Sequence, residues 1–421
     1  MSALGEETRR AVTRRLVPFL LVAYFFAYID RTNLGIAKLG MQRELGFTDE
    51  VIGLGAGIFF AGYLLLEIPG TLIVERWSAR LWIGRIMITW GLVAAALGFV
   101  QTTTQFYWLR FALGAAEAGF FPGVIVYLSH WYTPGDRSRA KSWFLIAQPL
   151  SQALGLPLSR IILENVAWGG LAGWRWVFIL EGVPSIVLGV VTLFFLTDWP
   201  RDARWLAAER REWLTAEIER ERSTKQAEGR ADTWSALAHP QVLLLVAICF
   251  FVIAGNQSVA FFLPSITDAW SSLSVTGRTL VTMLPYICGF FGILVNGHLA
   301  GRARDRRWFV AGPMLVTAAG LAGAVATNGH PMLMVLFFCA AGFSAQAYLP
   351  VLWTYPSSLL TKSAAAVAIG LINSIGNLGG LAGPYVFGYL RTATGSFDAG
   401  LWVLVGFLAI AGVLATRLRA R

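Results

Sequence analysis

Charge is what this sequence has least of. Only 14% of its 421 residues are Asp, Glu, Lys or Arg, against about 25% in a soluble domain, and that excludes a large water-soluble globule. Histidine and cysteine are scarce too. His130, His239, His298 and His330 are scattered near the ends of apolar runs, while Cys249, Cys288 and Cys339 fall inside them. Neither set has metal-ligand spacing, so no metal centre is expected and the cysteines read as small core residues. Nucleophile elbows and phosphate loops are missing, so nothing points to an enzyme or to a cofactor.

What fills the chain is hydrophobic sequence, 56% of it. It comes in blocks of roughly 18–25 residues, long enough to cross a hydrocarbon core of about 30 Å as helices. Twelve blocks are read, near 16–37, 50–73, 81–100, 105–128, 140–163, 174–197, 240–265, 276–299, 308–326, 331–354, 362–390 and 398–416. Inside a bilayer only helices and closed barrels satisfy their own backbone. These blocks are too long and too uniformly apolar for barrel strands of about 10 alternating residues. The expected fold is an all-α membrane protein with twelve transmembrane helices.

The net charge of +10 invites a nucleic-acid reading, but its distribution argues against one. Arg9, Arg10, Arg14 and Arg15 precede the first span, and Arg76 and Arg80 follow the second. Arg137, Arg139 and Lys141 follow the fourth, Arg302, Arg304, Arg306 and Arg307 the eighth, and Arg417, Arg419 and Arg421 close the chain. Basic residues thus collect on alternate loops, on the side that holds both termini, and the positive-inside rule makes that side cytoplasmic. A multi-pass protein of a bacterial inner (plasma) membrane is expected, with the lipid bilayer and not nucleic acid as its large partner. The basic start runs straight into a full-length span, so no cleavable signal peptide is expected.

One long polar stretch, 198–239, divides six spans (1–197) from six more (240–421). From Arg204 to Arg222 it is rich in Arg and Glu, with Leu206, Trp213, Leu214 and Ile218 as a partial apolar stripe, the pattern of a helix lying on the inner membrane surface. The two halves repeat one another. A shift of 226 lays Arg76 on Arg302, Arg80 on Arg306 and Trp82 on Trp308; a shift of 225 lays Gln148 and Gln152 on Asn373 and Asn377, and Gly155 on Gly380. The first shift also places Asp30-Arg31 on Asn256-Gln257. On this alignment the first half holds the charge chemistry and the second supplies neutral hydrogen bonds and shape.

An ionisable group deep in a span costs at least about 2.5–3.5 kcal/mol on insertion scales, so each is a functional candidate. Asp30 and Arg31 in span one and Arg110 and Glu117 in span four stand out. Arg110 and Glu117, seven residues apart, share a helix face about 10 Å apart along the axis, too far to pair within one helix. Each needs a partner elsewhere, and Asp30 and Arg31 are available. An arginine stays charged and grips a carboxylate with two parallel bonds. Burial disfavours a charged carboxylate and a neighbouring Arg favours it, so Asp30 and Glu117 are candidates to take and release protons. A structural salt-bridge network is the plain alternative.

Tyr63, Gln148, Asn256, Gln257, Asn373 and Asn377 also sit inside apolar spans, where each serves either a substrate or a helix–helix hydrogen bond. Tyr28, Trp353 and Tyr355 are weaker candidates, because aromatics commonly fill bundle interiors. Gly155 and Pro157, and Gly379, Gly380, Gly383 and Pro384, are expected to interrupt spans five and eleven as hinges or close-packing sites.

These residues carry a resemblance. Tyr28-Ile29-Asp30-Arg31-Thr32-Asn33-Leu34 resembles the first-span signature of the anion:cation symporter family within the major facilitator superfamily. So do Glu75-Arg76 through Arg85 to Gly91, the Arg110 to Gly119 stretch with Gly114 and Glu117, and Trp174 through Glu181-Gly182. The likeness covers nearly the whole chain. It implies a monomer of two pseudo-symmetric six-helix bundles rocking about a midplane site, and a small organic anion and a proton as partners. It implies that Arg31 binds a substrate carboxylate, that Asp30 and Glu117 handle the proton, and that Arg110 supports Glu117 or the anion. Tyr63, Gln148 and Asn377 would touch substrate. Glu75, Arg76, Arg80, Arg302 and Arg306 would form cytoplasmic latches, although Gly301 stands where the second copy often has an acid, a place Asp305 can fill. A tartrate-like dicarboxylate or a sugar acid such as galactonate is the expected cargo, with an aromatic acid such as phthalate as the alternative. A drug/proton antiporter would show a dense glycine series ending in Gly-Pro in span five, where this chain has Gln148 to Pro157. A transporter-like sensor would want an appendage that the chain does not offer.

Overall fold

The computed structural model describes residues 3–76, 78–133, 136, 140, 143–144, 146–227, 239–270, 273–303, 305–356 and 362–419, with backbone only for 3, 68–76, 221–227, 301 and 362–367. All regular structure among the described residues is helical. Span one is α1 (Ala3–Thr32) continued by α2 (Leu34–Leu45), and span two is α3 (Asp49–Arg76). Span three is α4 (Ala79–Leu97), and span four is α5 (Thr103–Glu117) followed by α6 (Phe120–Trp131). Spans five and six are α7 (Ala147–Asn165) and α8 (Gly173–Phe195). After the linker helix α9 (Ala208–Ala227) come α10 (Pro240–Asp268), α11 (Val275–Arg302) and α12 (Trp308–Ala326). Span ten is α13 (Pro331–Ala345) with the short α14 (Leu349–Leu352), and α15 (Lys362–Thr394) and α16 (Phe397–Ala415) complete twelve.

Ten of these spans are long and apolar enough to cross a membrane on composition alone. The other two are spans five and eleven, diluted by Gln148, Gln152, Ser159 and Arg160 in one and by Asn373, Ser374, Asn377 and six glycines in the other. Neither is interrupted: α7 runs through Gly155 and Pro157, and α15 through Gly379 to Pro384. Their glycines are close-packing sites. A Cβ on Gly155 would meet Ile29, and Cβ atoms on Gly379 and Gly383 would strike the backbone carbonyls of Phe250 and Ala254. The real breaks lie elsewhere. Span four parts at Ala118, which is extended, and Gly119, whose φ of 85° only glycine adopts freely. Span one has a turn at Asn33, one residue after Thr32 donates its hydroxyl back to the Tyr28 carbonyl at 2.9 Å. Both irregularities fall beside the buried charges.

The stripe on the linker is covered by protein and not by the membrane surface. Leu206, Leu214 and Ile218 are buried, α9 packs on α1 and α6, and Arg210 pairs with Glu7 at 2.6 Å. A helix two turns from the chain's start offers an apolar face closer to hand than lipid.

Successive spans reverse direction, so both termini lie at one end of the molecule. At the opposite, distal end, spans one to six meet spans seven to twelve closely through α3 on α15, α7 on α11 and α2 on α10. A Cβ on Gly57 would lie 2.6 Å from the Leu381 carbonyl, and one on Gly53 would strike that of Pro384. Two ionic knots reinforce the contact. Asp268 takes Arg160 at 2.7 Å and Arg278 at 3.1 Å. Asp49 takes Lys38 at 3.4 Å and Arg391 at 3.8 Å, with the buried Lys38 ammonium 3.8 Å from the Phe262 ring. Towards the terminal end the ion pairs among the described residues stay within one half, as with Arg9–Asp136 at 3.0 Å and Arg307–Asp305 at 2.7 Å.

Candidate functional site

Arg31 stands at the last turn of α1 and Glu117 at the last residue of α5, each where its helix loses regularity. The two meet: Arg31 Nε donates to Glu117 Oε1 at 2.6 Å, with the carboxylate 2% exposed and the guanidinium 16%. Three rings wall the guanidinium in, Tyr63 at 5.0 Å, Phe59 at 5.3 Å and Tyr28 at 5.4 Å. Such an enclosure strengthens any charged hydrogen bond Arg31 makes, because little water competes.

Arg110 lies close by without joining that pair. Its Nε donates to the Gly55 carbonyl at 3.1 Å, its plane sits 5.1 Å from the same Phe59 ring, and its Nη1 is buried with no partner. Phe59 therefore separates two guanidinium groups, one engaged and one with a donor to spare. Asp30 turns the other way. Its Oδ2 accepts from Trp90 Nε1 and Ser185 Oγ, both at 2.9 Å. The charges flagged in spans one and four are thus one ion pair, one half-satisfied arginine and one carboxylate with neutral donors.

The second half supplies neutral groups. A cavity of about 60 Å³ lies between the halves, lined by Gln152, Asn256, Gln257, Tyr286, Thr317 and Gln346 among apolar side chains such as Leu263 and Phe338. It does not reach Arg31 or Glu117, so the charged and neutral groups face the interior from separate places. Asn256 is also bound to the Ala345 carbonyl at 2.7 Å, the helix–helix role weighed for it. Gln148 and Asn377 are half-buried, and Tyr63 is buried beside Arg31.

Four residues at this level were not singled out from sequence. Gln346 donates to Gln152 at 3.2 Å across the halves. Glu67 of α3 accepts from Asn373 of α15, and from Ser374 at 3.4 Å. Glu181 of α8 is fully buried and accepts from Ser159 at 2.7 Å. Glu67 and Glu181 are carboxylates inside apolar runs, the very signal that marked Asp30 and Glu117.

Of the latch residues, the side chains of Glu75 and Arg76 lie outside the described residues. Arg80 donates to the Leu193 carbonyl at 3.2 Å and its backbone N–H to Asp198 at 2.9 Å. Arg302 and Arg306 are exposed. Asp305 binds Arg307 within its own loop.

Known proteins share this plan. The model of the Major Facilitator Superfamily matches residues 20–277 and 271–421. A protein of Agrobacterium vitis named as a tartrate transporter is 42% identical over 98% of this chain and 91% of its own. A quinolone resistance transporter of Acinetobacter baumannii is 36% identical over 95% and 92%. Among solved structures, an inward-facing, unoccupied bacterial homologue of the human lysosomal transporter Spinster superposes with a TM-score of 0.79 over 96% of both chains, at 16% identity.

Proposed function

This chain belongs to the Major Facilitator Superfamily and is a multi-pass membrane transporter, not an enzyme, and we propose on that premise that it imports a small organic anion together with a proton. The observation that carries the proposal is the enclosed Arg31–Glu117 pair. A substrate carboxylate reaching Arg31 competes with Glu117 for the same donors. Once displaced, Glu117 is an unpaired carboxylate in a dry site, a costly state that a proton relieves. Anion and proton are then taken up together. The free Nη1 of Arg110 offers a second contact for a dicarboxylate or for a hydroxyl of a sugar acid.

The Agrobacterium relative's name supports tartrate as the first cargo to test, with galactonate next. A second reading, an aromatic acid such as phthalate, draws on the three rings around Arg31. Basic loops favour termini in the cytoplasm of a bacterial inner membrane, and on that orientation the sealed distal end faces outward. Residues 1–197 and 240–421 act as the two rocking units of a monomer, joined by 198–239.

Proteoliposome uptake of labelled tartrate, galactonate and phthalate, with and without an inward proton gradient, tests this in wild type and Glu117→Gln. Gradient-driven accumulation in wild type that collapses in Glu117→Gln is expected. Accumulation indifferent to the gradient would sink the symport scheme.

A further inference from the structure

Behind the Arg31–Glu117 pair, within the first half, lies a second group of buried acids. Asp30 is 2% exposed and Glu181 is 1%. Glu181 stands one helical turn before Ser185, whose hydroxyl donates to Asp30, so both carboxylates address the same face of α8. Each has one satisfied oxygen and one without a partner: Asp30 Oδ2 and Glu181 Oε1 are bonded, Asp30 Oδ1 and Glu181 Oε2 are not. A third group points to what is missing. Asn33, at the turn of span one, is 1% exposed, its Oδ1 lacks a partner, and its side chain is within hydrogen-bonding reach of Glu181.

Among the described residues no cation pairs with these acids. On α1, Arg31 is committed to Glu117; on α7, Arg160 is committed to Asp268 and Glu164; on α8, Arg175 is committed to Glu44. On α2, Lys38 is committed to Asp49. The element α4 presents Trp90, a neutral donor, and α5 presents Glu117, a further negative charge. Two ionised carboxylates in one dry interior each bear a desolvation cost and repel one another; one proton taken up by the group removes much of that cost. The unpartnered oxygens mark where that proton resides, with the Asn33 amide able to accept from an O–H and to donate to the opposite carboxylate.

We propose that Asp30 and Glu181 hold a transported proton in a compartment behind the anion site, so that Glu181 is a further coupling residue alongside Glu117. This rests on the proton-symport reading above. The bookkeeping is simple: the proton enters on Asp30 Oδ1 or Glu181 Oε2 when the site faces outward and leaves from the same oxygens to the cytoplasm, with no other bond made or broken.

The test uses the full chain in proteoliposomes, with tartrate, galactonate and phthalate as probes and the proton-to-anion ratio as readout. In Glu181→Gln the ratio should fall by one, which under a gradient of one pH unit lowers the accumulation ratio about tenfold; Glu181→Asp should restore part of it. Counterflow exchange reports that each variant is folded. A wild type indifferent to the gradient overturns the symport reading and this role with it. A wild type that is gradient-driven with an unchanged ratio in Glu181→Gln overturns the role of Glu181 alone. A second readout needs no transport. Wild type in neutral buffer should show the infrared C=O stretch of a protonated, buried carboxylic acid, weakened in both Glu181→Gln and Asp30→Asn. A spectrum with carboxylate bands only, or a band that ignores both substitutions, overturns the shared proton.

Discussion

Arg31 and Glu117 are worth more to the protein together than either is alone. Removing one partner of a buried pair leaves the other as an uncompensated charge, at a cost of about 3–5 kcal/mol. Arg31→Ala should therefore lower the thermal stability of the detergent-solubilised protein, and adding Glu117→Gln should recover most of the loss. Thermal unfolding of the two single variants and the double variant checks this; a double variant no more stable than Arg31→Ala would mean that the pair carries no coupling. Residues of this kind are the easiest to read from sequence, because a charge inside an apolar run has few innocent explanations. Asp30, Arg31, Arg110 and Glu117 were legible for that reason. Their pairing was not, since which acid an arginine finds depends on how helices 86 residues apart in sequence are rotated. Glu181, the one acid of the apolar helix Gly173–Phe195, meets the same criterion.

At the scale of elements, the contact of α3 with α15 leaves no room for a side chain where the halves meet. Gly57 and Gly53 bring two backbones together at the distal end, where a side chain would strike the Leu381 and Pro384 carbonyls. Gly57→Leu should leave each half folded but prevent the distal end from closing. A cysteine placed near that end should become more reactive to a membrane-impermeant reagent in the variant; unchanged labelling would show that the seal does not depend on this approach. Span lengths and number were readable from sequence because they follow from bilayer thickness. The irregularities were not. Proline and glycine in spans five and eleven suggested breaks, yet those helices stay whole because their glycines are spent on packing. The break in span four depends on Gly119, one of 44 glycines in the chain, and nothing in its neighbours distinguishes it.

For the whole molecule, the distal seal sets which side the site opens to. Asp268 holds Arg160 from one half and Arg278 from its own. In Asp268→Asn, Arg278 would lose its carboxylate and Arg160 would keep only Glu164, and the balance should move towards a distally open form. Spin-label distances across the distal end should lengthen in the variant; distances that match wild type would remove Asp268 from the gate. The two-part plan was visible in the internal repeat, and so was the asymmetry of charge between the parts. The direction of opening was not, because the pairs that close one end join residues far apart in sequence.

That asymmetry bears on how such proteins diversify. Arg31, Glu117, Asp30 and Glu181 lie in the first six spans, while the cavity wall of α10, α11 and α13 is made of amides, a phenol and hydrocarbon. Selection acting on the wall can alter what is carried while the buried charges of the first half are inherited intact. New diets would then be acquired by point substitutions in one half of a gene, with the other half held under constraint.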